Sequence, residues 1–149
     1  MKVNDYNEVI DFAIDKEQEA IDFYTAIKER EKMPNIIKVL GDIIDMERGH
    51  INKLEFFKKN IPNIKNIDET KPINLIDYYE EKINYDNLDY IDLLRIAIKR
   101  EDQSRRLYQE LAHNNDEDTR DLFLLLANEE EMHKQLFEEI YQVFVLVDN

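Results

Sequence analysis

Apolar residues recur at steps of three and four in four long segments of the chain, the spacing of one buried face on an α-helix. The first stripe, Tyr6, Val9, Ile10, Ala13, Ile14, Ala20, Ile21, Tyr24 and Ile27, predicts a helix from about Asp5 to about Glu31 that Met33-Pro34-Asn35 ends. The second, Ile36, Ile37, Leu40, Ile43, Ile44, Ile51, Leu54 and Phe57, runs to near Asn60 and stops before Pro62. The third is capped by Asp89, carries Ile91, Leu94, Ala97, Ile98, Tyr108 and Leu111 inward, and closes at His113-Asn114-Asn115. The fourth spans about Asp118 to about Val145, with Leu122, Phe123, Leu126, Phe137, Ile140 and Phe144 inward.

Short loops join the first helix to the second and the third to the fourth, which makes each pair antiparallel neighbours. Residues 60–88 between them are rich in breakers, with a short helix expected from Ile73 to Lys82. That stretch is long enough to run back along a whole helix. Two hairpins joined by one long crossover predict an all-α chain: an antiparallel ferritin-like four-helix bundle, with residues 1–149 as a single domain.

Polar residues interrupt the stripes where apolar ones are due. Continuing each stripe at its own spacing puts Glu17 inward on the first helix, Glu47 and His50 on the second, Glu101 and Ser104 on the third, and Glu130 and His133 on the fourth. The pattern is duplicated. Glu17 and Tyr24 match Glu101 and Tyr108 at an offset of 84 residues, and Glu47-x-x-His50 matches Glu130-x-x-His133 at an offset of 83. Each half-chain therefore supplies one Glu from one helix and a Glu-x-x-His pair from the next, all near helix midpoints. Such a repeat implies a site on a pseudo-two-fold axis. Glu110-x-x-His113 also fits the short motif, but it lies at a helix end, has no counterpart in the first half, and is explained by the helix dipole.

Composition narrows the chemistry. The 2 Gly and 3 Pro are too few for a turn-dense β-sandwich or barrel, and 43% hydrophobic residues place the chain among globular proteins. The absence of Cys removes thiolate zinc sites, iron–sulfur clusters and cysteine nucleophiles. A net charge of −14 opposes nucleic acid and anionic membrane surfaces as partners and favours cations as ligands. No signal peptide or membrane span is evident, so a cytoplasmic location is expected. Four buried carboxylates without compensation would be costly, and two divalent cations cancel them. Glu and His at i and i+3 share a helix face, so each pair can grip one ion while Glu17 and Glu101 bridge both. Oxygen-rich ligation with one imidazole per ion suits iron or manganese; zinc also accepts such ligands. Tyr24 and Tyr108 are placed to hydrogen-bond at the site, or to serve as ordinary core aromatics.

With Glu and Tyr seven residues apart on helices one and three, and Glu-x-x-His on helices two and four, the chain resembles the rubrerythrin-like branch of the ferritin-like superfamily. The resemblance covers essentially the whole chain. It implies two iron ions held by Glu17, Glu47, His50, Glu101, Glu130 and His133, oxidation of ferrous iron by dioxygen or hydrogen peroxide, and commonly a homodimer. Two departures qualify it. Rubrerythrins proper carry a rubredoxin domain with four Cys; this sequence has none, which implies an external electron donor protein. Peroxide-reducing members have a second Glu three residues after the helix-three ligand, where Ser104 stands here. Storage of iron in an assembly and a metal-free helical interaction module are the competing readings.

Overall fold

The computed structural model describes residues 2–3, 6–60, 73–80, 84–113 and 117–148. Four helices, α1 (Tyr6–Arg30), α2 (Pro34–Asn60), α3 (Tyr90–His113) and α4 (Glu117–Asp148), pack as an antiparallel ferritin-like bundle. Each begins and ends within a few residues of the sequence expectation; α4 continues beyond Val145. The α1–α2 connection is closed by Glu31, whose Oε1 accepts from the backbone N–H groups of Lys32 at 2.9 Å and Met33 at 3.0 Å. Asp89 caps α3 by accepting from the Asp92 N–H at 2.8 Å.

The crossover differs from expectation where it is described. The short helix expected from Ile73 to Lys82 is replaced by β2 (Ile73–Asn74), followed by a 3-10 turn at Leu75–Tyr78; residues 81–83 lie outside the described residues. β2 pairs antiparallel with β1 (Lys2–Val3), Val3 opposite Ile73. A second 3-10 turn, Tyr85–Asn87, leads towards α3. Arg100 on α3 clamps this connection: its Nε lies 3.1 Å from Glu80 Oε2 and its guanidinium donates to the Tyr85 hydroxyl at 2.8 Å. Phe23, absent from the predicted stripe, is buried beneath the same segment, with its ring 4.5 Å from Tyr85 and under Arg100.

The apolar core is divided into two clusters. One, around Ile10, Leu54, Leu111 and Phe123, fills one end of the bundle; the other, around Ile27, Leu40, Leu94 and Phe137, fills the opposite end. Both clusters are built from all four helices, so the bundle's mid-level is left for the polar residues of the stripes. Among the described residues no helix is long and apolar enough to cross a membrane.

Candidate metal centre

The six Glu and His residues that the stripes place inward converge at that mid-level. Glu17, Glu47, His50, Glu101, Glu130 and His133 are each at most 2% exposed. They get there because α1 to α4 run unbroken through the level of the site, with no positive-φ residue and no cis peptide among the described residues. Ligand-type atoms gather in two groups, each within 4.8 Å: Glu17, Glu47, His50 and Glu130, and Glu47, Glu101, Glu130 and His133. The two imidazole rings are stacked, 6.0 Å apart and inclined by 18°. Ser104 is half-buried.

The two groups overlap differently from the expected sharing. The carboxylates common to both groups are Glu47 and Glu130, whereas Glu17 and Glu101 each belong to one. Each Glu-x-x-His glutamate reaches across the bundle to the other pair's imidazole: Glu47 Oε1 is 2.7 Å from His133 Nδ1, and Glu130 Oε1 is 2.7 Å from His50 Nδ1. Within its own helix Glu47 is farther from His50, at 3.7 Å. The i, i+3 spacing fixes the face but not which carboxylate stands between the two groups, so Glu17 and Glu101 are not the shared pair.

Tyr24 and Tyr108 cross over in the same way. The Tyr24 hydroxyl on α1 donates to Glu101 Oε1 on α3 at 2.7 Å, and the Tyr108 hydroxyl on α3 donates to Glu17 Oε1 on α1 at 2.5 Å. Burial and the surrounding carboxylates push both phenols well above their usual range, so each stays a donor. Tyr24 belongs to one apolar cluster and Tyr108 to the other, so the two rings close the site from opposite ends.

Without a cation, protons take its place. Burial, reinforced by the charges of Glu17 and Glu101, drives Glu47 well above the usual carboxylate range. Burial and the charges of Glu101, Glu17 and Glu47 do the same to Glu130. Glu101 is pushed up to about 7, chiefly by burial. Burial works to raise Glu17 too, but hydrogen bonds from Glu47 and His50 more than offset it and hold Glu17 below its usual value. The imidazoles diverge. Burial opposes charging His50, yet Glu17 and Glu129 outweigh it and raise its pKa; burial and the nearby His50 lower His133 to about 4.

These residues fit divalent cations. Among the described residues no hydrogen-bond partner is found for the buried oxygens Glu17 Oε2 and Glu101 Oε2, and Glu130 Oε1, although close to His50, lacks hydrogen-bonding alignment. Buried acceptors left in this state are costly, and a cation between them removes the cost. Both imidazoles turn Nδ1 inward, where an unprotonated nitrogen is a metal donor.

The family pattern of rubrerythrin matches residues 2–85 and 92–148. The chain belongs to the rubrerythrin family. A structural comparison supports the fold independently: a hypothetical protein from Pyrococcus furiosus superposes with a TM-score of 0.70 at 22% identity, over 93% of this chain and 89% of that one. No curated protein matches by sequence. Family membership and the buried Glu/His group together identify a rubrerythrin domain with residues able to hold metal.

Two residues around the site were not assigned a role by sequence reasoning. Glu129 Oε2 lies 2.5 Å from His50 Nε2, and Met46 Sδ lies 3.3 Å from His133 Nε2. Each sits one residue before a Glu-x-x-His motif, and the offset of 83 residues that relates those motifs relates this pair too.

Proposed function

We propose that this rubrerythrin domain is a di-iron carboxylate oxidoreductase, whose ferrous pair is oxidised by dioxygen or hydrogen peroxide and re-reduced by an external donor protein. The observation that carries the reading is the pair of four-residue groups sharing Glu47 and Glu130, all buried and related by the internal repeat. Each group offers three carboxylates and one imidazole, a donor set suited to iron or manganese. Bound iron would supply one electron per ion, and two such electrons with two protons reduce hydrogen peroxide to two waters.

The chain's own residues prepare the site for this. Glu47 and Glu130, which belong to both groups and are held protonated by burial, would exchange those protons for cations and would be placed to hold both. Tyr24 and Tyr108 are positioning residues that fix Glu101 and Glu17 through hydroxyl donation from opposite ends. The apolar clusters on either side exclude bulk water, which strengthens every charge interaction within. Ser104 provides no second carboxylate on α3 towards which an ion could shift, so ferrous oxidation is favoured over rapid peroxide turnover.

Anaerobic loading of metal-free protein with ferrous iron, followed by dioxygen or peroxide, tests the reading. Two ions per chain and an oxidation rate above that of free ferrous iron are expected. Substoichiometric binding of every divalent metal, or no oxidation by either oxidant, overturns it.

A further inference from the structure

Every proposed ligand in one half of the centre has a symmetry mate in the other, so the two groups present the same inner donors. The layer behind the histidines is not symmetric. His50 turns Nε2 away from the carboxylates and onto Glu129 Oε2 at 2.5 Å, while Glu129 Oε1 lies 3.8 Å from Lys53 Nζ on α2. His133 turns Nε2 onto the thioether of Met46 at 3.3 Å. The repeat relates Glu129 to Met46 and Lys53 to Leu136, so the carboxylate on His50 has a thioether as its counterpart on His133, and the amine beside that carboxylate has an apolar residue as its counterpart in the sequence.

We propose that the two ion positions are unequal: the group containing His50 fills first, and the group containing His133 fills second. The inference rests on the metal-binding reading above. A carboxylate accepting from Nε2–H fixes the tautomer that leaves the Nδ1 lone pair facing inward. It also holds the ring plane and increases the nitrogen's donor strength. A thioether is a weak acceptor and does none of these well. Outer carboxylate partners of this kind change metal affinity by about 10–100-fold. Glu129 and Met46 are therefore positioning residues that rank two otherwise equivalent sites. Lys53 stands near the other oxygen of Glu129, at 3.8 Å.

Zinc titration of the metal-free chain, with nitrogen-15 in the histidines, reads this order directly and avoids redox chemistry. Coupled sites that share carboxylates fill stepwise even when identical, so the decisive quantity is which imidazole is ligated at one equivalent. The His50 Nδ1 resonance is expected to move first, with His133 following only at the second equivalent. Glu129→Met should weaken the first step by about 10–100-fold and remove the preference. Met46→Glu should tighten the second step, and the double exchange should reverse the order. Both imidazoles shifting together in the native chain, or an unchanged first step in Glu129→Met, overturns the inference and leaves metal binding intact. No shift in either imidazole at excess zinc overturns the metal-binding reading as well.

Discussion

Tyr24 on α1 donates to Glu101 on α3 across 2.7 Å, and the internal repeat returns the bond from Tyr108 to Glu17. The two halves of the chain thus complete each other's site, each phenol serving the other half's carboxylate. This exchange ties α1 to α3 at the level where the apolar core is interrupted.

Replacing either phenol by Phe keeps the ring packing, including the 4.8 Å contact of Tyr24 with Phe137, and removes only the hydroxyl. A buried carboxylate then loses a donor. Tyr24→Phe and Tyr108→Phe should each lower the stability of the metal-free protein by about 1–3 kcal/mol, measured by urea unfolding. A loss below about 0.5 kcal/mol in both would mean that water replaces the hydroxyl and that the exchange does not hold the helices.

Metal stoichiometry separates shared from unshared carboxylates. Glu47 and Glu130 belong to both groups, so Glu47→Gln or Glu130→Gln should weaken both ions together. Glu17→Ala or Glu101→Ala should leave one ion per chain bound. The Gln variants should also fold as well as the native chain without metal, because each replaces a carboxyl that burial already keeps protonated. Counting zinc per chain after gel filtration distinguishes the two classes. Loss of a single ion in Glu130→Gln would assign bridging to the other pair.

The helices and the six inward Glu and His residues were legible because one property, a period near 3.6, carries both. Glu17 is as regular a member of its stripe as Ala13 or Ala20, and only its chemistry is out of place. Which carboxylates the two groups share was not legible. Spacing along one helix says nothing of how far a carboxylate reaches across to the next, and Glu47 meets His133 more closely than its own His50. The β1–β2 pair escaped notice because two-residue strands have no period to read. Phe23 lies off the predicted stripe because its cover comes from Tyr85 in the crossover, a partner far away in sequence.

Arg100 tests how the crossover is held. Its side chain is 9% exposed, faces Glu80 at 15%, and meets Tyr85 and Phe23 as well. Removing one partner of a buried pair leaves the other charge uncompensated, so Arg100→Met should cost about 3 kcal/mol. The double variant Arg100→Met with Glu80→Met should recover most of that loss. Thermal unfolding of the two single variants and the double forms a complete cycle. Additive losses would show that Arg100 acts through its aromatic contacts instead of through Glu80.

Stability without metal should fall as pH rises above about 6.5, the reverse of ordinary acid denaturation. Glu47, Glu130 and Glu101 have folded pKa values raised above their unfolded ones, Glu101 to about 7. His50 is raised as well. In this range the folded chain binds more protons than the unfolded chain, so raising the pH favours unfolding, by about 1 kcal/mol per pH unit for each group still protonated. His133, lowered to about 4, works in the opposite direction, but only below the unfolded histidine value, and so is silent here. Cations compete with the same protons. Zinc binding should therefore release protons at neutral pH, with the number falling and the affinity rising as pH increases. Calorimetry in buffers of different ionisation enthalpy measures the release, and melts at pH 6.5 and 8 with and without zinc measure the slope. A metal-free protein equally stable at both values would show that the buried carboxylates are ionised, and that cations enter a site already charged to receive them.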